Sequence, residues 1–235
     1  MKLKACVISD THGKHNLIDF SNYNDCNLFI HCGDWTKSVE NQHIEIHEFL
    51  EWMNDLDFKY KILIAGNHEV WVERNNDSFK NILKKYPDII YLENESTIIE
   101  GIKFYGSPYS NEFFNWAFME YEYKLENIWK KIDIDTNVLI THGPAYKCHD
   151  EVLNDFNDDH NAGSKSLSKI KKKLKKLKVH CSGHIHEAYG TSIDKHNTIN
   201  ICSSFLDHRY CPTNLPVIFE IQKNKYIKSK LISNF

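Results

Sequence analysis

Residues 60–69 of the chain read Tyr-Lys-Ile-Leu-Ile-Ala-Gly-Asn-His-Glu, an apolar run that ends in the polar sequence Gly66-Asn67-His68-Glu69. A short apolar run of this kind predicts a buried β-strand, and the glycine after it permits a tight turn. In open α/β sheets ligands bind beyond the carboxyl ends of the strands, because the loops there converge on one crevice. The segment therefore predicts a strand whose following loop presents an amide, an imidazole and a carboxylate to a binding site.

Four other apolar runs are followed by the same kind of polar cluster. They are residues 3–9 before Asp10 and His12, residues 27–31 before Gly33-Asp34, residues 138–141 before His142-Gly143, and residues 179–182 before Gly183-His184-Ile185-His186. Each cluster alone is a weak signal, since an isolated Asp-x-His sequence is more often a turn or a solvent contact. Five clusters at five strand ends indicate one shared site built from carboxylate, amide and imidazole groups, which are metal ligands.

The segments between and after these strands predict the rest of the fold. Apolar residues recur at three- to four-residue steps in residues 44–56 and 79–83, as on the buried face of a helix. Later apolar runs, with Gly101 inside the first, are typical of hairpins and lie at residues 98–105, 198–202, 217–221 and 226–231. We therefore expect an α/β fold in which two sheets pack together with helices outside.

Composition predicts a single domain over residues 1–235. The chain is 41% hydrophobic and 26% charged, and α/β domains of about 200 to 250 residues are common. Its apolar runs are far shorter than a membrane-spanning helix, and the first residues lack the apolar core of a signal peptide. Seven scattered cysteines without a Cys-x-x-Cys pair indicate free thiols. We expect a cytoplasmic protein without a membrane partner.

The charge balance disfavours a nucleic-acid polymer as the partner. Thirty-two acidic and 29 basic residues leave a net charge of −3, and Arg74 and Arg209 are the two arginines. Nonspecific binding to DNA depends on cationic side chains that neutralise phosphates, and specific reading of guanine favours arginine. A small substrate fits this composition better.

One segment, residues 165–178, contains eight lysines. Its apolar residues Leu167, Ile170, Leu174 and Leu177 recur at helical spacing, which predicts a surface helix that buries one stripe and exposes its lysines. Whether this helix also binds a partner is left open by the sequence.

The ordered clusters resemble the calcineurin-like metallophosphoesterase superfamily, whose pattern D-x-H, G-D, G-N-H-[ED], H and G-H-x-H is met over residues 5–205. Shorter motifs are similar to its metallophosphoesterase-domain-containing subgroup: Gly106-Ser107-Pro108-Tyr109, Phe114-Asn115-Trp116, Thr141-His142-Gly143-Pro144 and Pro212-Thr213-Asn214-Leu215-Pro216. The resemblance implies a four-layer αββα sandwich, with two mixed β-sheets packed face to face and flanked by helices.

The resemblance also implies two divalent metal ions. One would be held by Asp10, His12, Asp34 and His186, and the other by Asp34, Asn67, His142 and His184. Asp34 would bridge the two ions. Oxygen and nitrogen ligands without thiolate suit Mn²⁺ first, with Fe or Zn²⁺ as the alternatives.

The implied activity is that of a phosphodiesterase acting on cyclic nucleotides or similar small phosphodiesters. A metal-bridging hydroxide would attack the phosphorus, and His68 would protonate the leaving oxygen as the general acid. Asn67 and Asp34 complete the expected catalytic group. The expected substrate contacts are Asn67, His68, Trp116, which would stack on a base, and Arg209, which would meet phosphate.

Four other functions were weighed against this one. A binding or scaffold protein of the same fold would have little turnover, although every ligand position here is filled. A phosphomonoesterase would use the same two ions. A nuclease or a protein phosphatase of the superfamily fits poorly with two arginines.

Overall fold

The computed structural model describes residues 2–37, 41–153, 160–223 and 227–232. Within these ranges the strands are β1 (Lys2–Ile8), β2 (Leu28–Cys32), β3 (Tyr60–Ile64), β4 (Ile89–Tyr91), β5 (Glu95–Ile99), β6 (Ile102–Ser107), β7 (Ser110–Asn111), β8 (Met119–Glu120), β9 (Val138–Thr141), β10 (Val179–Ser182), β11 (Gly190–Ile193), β12 (Ile199–Cys202), β13 (Val217–Lys223) and β14 (Ile227–Ile232). The helices are α1 (Gln42–Asp55), α2 (Val70–Arg74), α3 (Asn76–Leu83), α4 (Glu122–Trp129) and α5 (Lys165–Lys171).

The first large sheet places five of the predicted strands side by side. Its order is β14-β13-β1-β2-β3-β4, in which β1 to β4 are parallel and β13 and β14 are antiparallel to their neighbours. Val7 lies opposite Ile30, which lies opposite Ile62, so the loops after β1, β2 and β3 leave from one edge. The last hairpin is present as predicted, and its turn, residues 224–226, lies outside the described residues.

The second large sheet has the order β11-β12-β10-β9-β6-β5. Strands β12, β10, β9 and β6 are parallel, and the two edge strands are antiparallel. The predicted hairpin of β5 and β6 turns at Gly101, whose φ of +76° favours glycine. Strands β4, β7, β8 and β11 were absent from the sequence prediction, because they have two to four residues or lack an apolar pattern.

Alternate side chains of β1 enter different hydrophobic cores, as the two-residue period of a strand requires. Leu3, Ala5 and Val7 are fully buried between the two large sheets, together with apolar residues of β9, β10 and β12. Cys6 and Ile8 point the other way, into a core covered by α1 and α3. The first sheet is therefore buried on both faces.

Helices cover the outer faces of both sheets. On the first sheet, α1 buries Phe49, Leu50 and Met53, as its apolar spacing predicts. Ile44, at the start of that predicted pattern, is exposed, and Ile46 is buried in its place. On the second sheet, α4 and α5 contribute Leu125, Trp129 and Leu167 to a separate core. The four-layer αββα arrangement of two mixed sheets is thus confirmed. In the part of the chain that the structure describes, no helix is long and apolar enough to cross a membrane.

The lysine-rich segment is shorter as a helix than predicted. Helix α5 ends at Lys171, and the chain continues in tight turns closed by bonds from Leu174 N–H to Lys171 O and from Leu177 N–H to Leu174 O. Both leucines are buried, as expected. The expectation of one solvated lysine stripe was wrong for Lys171, whose ammonium group contacts His180 of β10 and Asn200 of β12.

The carboxyl ends of the parallel strands of both sheets meet at one edge of the molecule. Ser9, after β1, donates its backbone N–H to Ser203 O, after β12. Gly183, after β10, donates to His142 O, after β9. The first bond joins the loops of the two sheets, and the second joins two neighbouring loops of the second sheet. The ring of His142 also contacts Cys32 O at the end of β2, so the loops that carry the predicted clusters meet at this edge.

Candidate metal centre

The predicted site residues lie in five loops at the joined strand ends. Asp10 and His12 follow β1, Asp34 follows β2, Asn67 and His68 follow β3, His142 follows β9, and His184 and His186 follow β10. Four of them have a left-handed backbone, with φ of +53° at Asp10, +41° at His12, +56° at Asp34 and +71° at His184. Non-glycine residues adopt this conformation at a cost that the surrounding structure must offset, and such residues cluster at functional sites.

Two motif glycines are required by close approach and not by their φ angles. A Cβ atom on Gly66 would lie 2.4 Å from Asp34 Oδ1, and one on Gly183 would lie 2.4 Å from Asp10 Oδ2. Neither distance is compatible with a side chain. The tight turn predicted for Gly66 is therefore not its main constraint, because both glycines make room for a carboxylate.

The first group of donor atoms comes from Asp10, His12 and His186, whose nearest ligand atoms all lie within 4.8 Å of one another. The two imidazole Nε2 atoms are 3.4 Å apart, and His186 Nε2 is 3.8 Å from Asp10 Oδ1. The other oxygen of this aspartate, Oδ2, accepts hydrogen bonds from Ser9 Oγ at 2.5 Å and Ser204 Oγ at 2.7 Å. Its Oδ1 therefore faces the imidazoles.

The second group comes from Asp34, His142 and His184, again with ligand atoms within 4.8 Å. His142 Nε2 lies 3.4 Å from Asp34 Oδ1 and 2.8 Å from Asn67 Oδ1. The predicted second set of four residues is thus gathered around the buried ring of His142.

Asp34 lies between the two groups. Its Oδ1 faces His142, while its Oδ2 lies 3.8 Å from His12 Nε2 and 4.0 Å from His68 Nε2. Burial opposes ionisation of this carboxyl group, yet the facing imidazoles of His142 and His68 hold its pKa well below its usual range. A carboxylate with one oxygen directed to each side has the geometry of a bridging ligand.

Backbone carbonyls orient two of the imidazoles toward the centre. Because a carbonyl can only accept, His142 donates Nδ1–H to Cys32 O at 2.9 Å, and His186 donates Nδ1–H to Asp207 O at 3.0 Å. In both rings Nε2 is then the nitrogen that faces the carboxylates. Fixing one ring nitrogen in this way is how proteins prepare histidine as a metal ligand. The donor set, nitrogen and oxygen around a shared carboxylate, fits two divalent cations.

A buried carboxylate, that of Glu69, holds the loops together. Its oxygens accept backbone N–H bonds from Asp34, Trp35 and Thr36 at 2.9 Å and from Gly66 at 2.6 Å. Glu69 belongs to a predicted motif, but no role was predicted for it. Its place beside the apolar Val70 could have indicated a buried carboxylate, and a buried carboxylate needs several hydrogen-bond donors.

The predicted proton donor, His68, is packed between the centre and an aromatic ring. Its backbone N–H donates to Asp34 Oδ1 at 2.8 Å, and its ring stacks on Trp116 with centroids 4.4 Å apart and planes at 27°. Trp116 was predicted to stack on a base. In the structure one face of the indole already supports the imidazole of His68.

The remaining predicted contact, Arg209, is not brought to the centre. Its side chain is exposed and its Nε donates to the neighbouring His208. The next residue, Tyr210, instead lies beside the donor atoms, with its ring 5.0 Å from the rings of both His12 and His186. Nothing in the local sequence distinguishes Tyr210, because its position depends on the fold of the loop after β12.

Comparisons with known proteins agree with the fold and identify the family. The family profile described as calcineurin-like phosphoesterase matches residues 3–188. Metallophosphoesterase domain-containing protein 1 of Homo sapiens is 29% identical over 238 residues, which cover 92% of this chain and 70% of that protein.

Solved structures support the same fold. Phosphopantetheinyl hydrolase from Mycobacterium tuberculosis superimposes with a TM-score of 0.61 at 13% identity, covering 99% of this chain and 97% of that one. A dimetal phosphatase from Danio rerio gives a TM-score of 0.54 at 12% identity, covering 98% and 99% of the two chains. At these identities the likeness concerns the arrangement of sheets and helices.

Proposed function

Because the chain belongs to the calcineurin-like phosphoesterase family, we propose that it is a dinuclear metal-dependent phosphodiesterase. Cyclic nucleotides and similar small phosphodiesters are the proposed substrates. The observation that carries this proposal is the pair of donor groups that meet at Asp34, whose two oxygens face opposite sides. The proposed ligands of one ion are Asp10, His12, Asp34 and His186, and those of the other are Asp34, Asn67, His142 and His184.

Two divalent ions in this centre would attract the phosphate group and lower the pKa of water held there. We propose Mn²⁺ as the resident metal, with Fe or Zn²⁺ as alternatives, because the donors are nitrogen and oxygen atoms without thiolate. The carbonyl bonds of His142 and His186 hold the ligand rings in place. This chain's own contribution is a largely buried set of donor atoms whose rings are oriented by backbone hydrogen bonds.

His68 is the proposed general acid. Its side chain is partly exposed at the edge of the centre, where a leaving oxygen can reach it. The backbone bond to Asp34 and the stacked ring of Trp116 fix where the imidazole points. Protonation of the leaving alkoxide by a positioned imidazole accelerates such reactions by about 10² to 10⁴.

Two aromatic side chains border the centre and are proposed to contact the substrate. Trp116 lies on the His68 side, and Tyr210 lies on the side of His12 and His186. Flat rings suit the flat base of a nucleotide, since stacking of a base on an aromatic ring contributes about 1 to 3 kcal/mol. The net charge of −3 favours such a small substrate over a nucleic-acid polymer.

We also propose a cytoplasmic location. All seven cysteines are free thiols in the structure, and five of them are buried. Free thiols persist in reducing compartments.

The test of this function compares wild type with Asp34→Ala and His68→Ala on bis-p-nitrophenyl phosphate and on a panel of cyclic nucleotides. We expect each variant to lose at least about a hundredfold in kcat/KM, because one removes the shared ligand and the other the proton donor. His43→Ala, an exposed histidine on α1, is the matched control and should keep wild-type turnover. Wild-type turnover in a folded Asp34→Ala protein would exclude the proposed mechanism. If the wild-type protein hydrolyses none of the diesters, the scaffold alternative is favoured.

A further inference from the structure

A second cavity, of about 500 Å³, lies away from the metal centre. Its walls come from residues 145–148 after β9, residues 168–177 of the lysine-rich segment, and residues 192–200 around the ends of β11 and β12. None of the residues grouped in the metal centre lines it. Its volume falls in the range of about 300 to 1,000 Å³ that is common for small-molecule sites.

The lining of this cavity is strongly basic. Its charged residues are Lys147, Lys171, Lys172, Lys175, Lys195 and Asp194. Five positive charges and one negative charge leave the lining at +4, although the whole chain carries −3. The Asp194 carboxylate is engaged by the backbone N–H groups of His196 and Thr198 at 2.8 and 3.0 Å. The cavity therefore concentrates positive charge on a molecule that is otherwise slightly acidic.

Lys171 brings one of these charges to the inner wall. Its Nζ donates to His180 Nδ1 and to Asn200 Oδ1, both at 2.8 Å, and lies 3.7 Å from Cys148 Sγ. Within the described ranges no carboxylate lies at ion-pair distance from this nitrogen. Burial lowers the pKa of Lys171, and the nearby Cys148 and Asp194 side chains oppose this shift only in part.

A directed chain of hydrogen bonds holds Lys171 in place. Thr141 donates its hydroxyl proton to Gly143 O at 2.6 Å, so it accepts at 2.8 Å from His180 Nε2–H. The other nitrogen of that ring, Nδ1, is then free to accept from Lys171. These hydrogen bonds fix the side chains of Thr141, His180 and Lys171. If the Lys171 ammonium group moved into solvent, His180 Nδ1 and Asn200 Oδ1 would lose their hydrogen-bond donor.

The other lysines of the cavity, at positions 147, 172, 175 and 195, are exposed at its mouth. None of them forms an ion pair with a carboxylate of the described residues. Hydroxyl groups of Ser168, Ser192 and Thr198 lie among them and can complete a hydrogen-bonding shell. A fixed inner charge with mobile charges around it is suited to an anion with several charged groups, since lysine binds phosphate and carboxylate as a point charge.

We propose that this cavity is a binding site for a small polyanion, a molecule that carries several phosphate or carboxylate groups. The site is separate from the metal centre, and it binds its ligand in protein from which the metals have been removed.

The experiment is calorimetric titration of the full chain, stripped of metal and dialysed free of chelator, with pyrophosphate and separately with citrate. The decisive variant is Lys172→Gln/Lys175→Gln, which removes two charges from the mouth of the cavity. Lys169→Gln/Lys173→Gln is the matched control, because these exposed lysines lie on the same segment but do not line the cavity. Lys171→Met tests the inner charge, with circular dichroism to check that it folds.

We expect saturable binding of pyrophosphate, of citrate or of both to the wild-type protein. Which of the two binds more tightly shows whether the site prefers phosphate or carboxylate groups. Lys172→Gln/Lys175→Gln should weaken this binding by about tenfold or more, because the variant removes two positive charges that lie close to the bound anion. The control pair should stay within about twofold of wild type, since its charges are screened at a distance. The proposal is overturned if neither anion binds to wild type, or if the two pairs weaken binding equally, as general surface charge would.

Discussion

Two buried imidazoles, those of His15 and His31, are expected to make the folded protein sensitive to acid. His15 is packed against Phe49 and Trp52, at ring distances of 5.2 and 4.7 Å, and its buried Nδ1 has no hydrogen-bond partner. Burial lowers the pKa of His15 from 6.5 to about 4. The same effect lowers the pKa of His31 to about 3. Both rings are therefore neutral in the folded protein at pH 5, while they are charged in the unfolded chain.

We expect His15→Phe to make the metal-free protein less sensitive to acid. A folded pKa below the unfolded value means that the unfolded chain binds more protons between pH 6.5 and 4, so stability is full above pH 6.5 and falls toward pH 4. The His15 imidazole accounts for a decrease of up to about 3 kcal/mol in the free energy of unfolding, at 1.36 kcal/mol for each pKa unit. Urea unfolding at pH 7 and pH 4 measures it, with exposed His43→Gln as the control. An equal loss in His15→Phe and wild type would contradict this role.

Individual site residues were predictable where they belong to a short local motif at the end of a strand. Asp10, His12 and Asp34 stand directly after apolar runs, so their convergence follows from the parallel order of the strands. Tyr210 could not be found in this way, because it reaches the centre through an irregular loop. Arg209 was chosen for its charge, and the same loop directs it to solvent.

At the scale of elements, the turn after β10 depends on the absence of a side chain at Gly183. A methyl group there would lie 2.3 Å from Ser9 Oγ and 2.4 Å from Asp10 Oδ2. Because both atoms belong to the rigid loop after β1, the backbone would have to move and take the adjacent His184 with it.

We expect Gly183→Ala to weaken Mn²⁺ binding by about 10- to 100-fold, the usual effect of disturbing the support of metal ligands. Gly101→Ala is the control: at φ +76° in the hairpin of β5 and β6 it costs about 1 to 2 kcal/mol of stability without touching the centre. Calorimetric titration of each metal-free protein measures the affinity. Equal Mn²⁺ affinity in Gly183→Ala and wild type would contradict the requirement for glycine at this position, because the metal site would then tolerate a shift of Asp10.

Elements with a strong apolar period were predicted well, and those determined by tertiary contacts were not. Strands β9 and β10 begin and end where the apolar runs do. The lysine-rich segment has helical spacing throughout, but the helix stops at Lys171 because the following turns must lead the chain back into β10. The intrinsic helix propensity of these residues does not include this tertiary constraint on where the helix ends.

At the scale of the whole molecule, we propose that residues 1–235 unfold as one unit. The core between the sheets contains Val7 and Ile30 of one sheet and Val138 and Ile140 of the other, all fully buried, so neither sheet keeps its inner face covered alone. Differential scanning calorimetry of the metal-free protein should give one transition with equal calorimetric and van't Hoff enthalpies. Two resolved transitions would instead indicate two independently folding halves.

The proposed activity depends on two ions held at Asp34, and one experiment measures both together. Metal-free protein is titrated with Mn²⁺ while bound metal and hydrolysis of bis-p-nitrophenyl phosphate are followed in the same samples. We predict no hydrolysis without metal, binding of two ions per chain, and turnover that rises to its full value only as the second ion binds, because the attacking and leaving oxygens each need a cation. Full turnover by metal-free protein, or saturation at a single ion, would contradict the dinuclear mechanism.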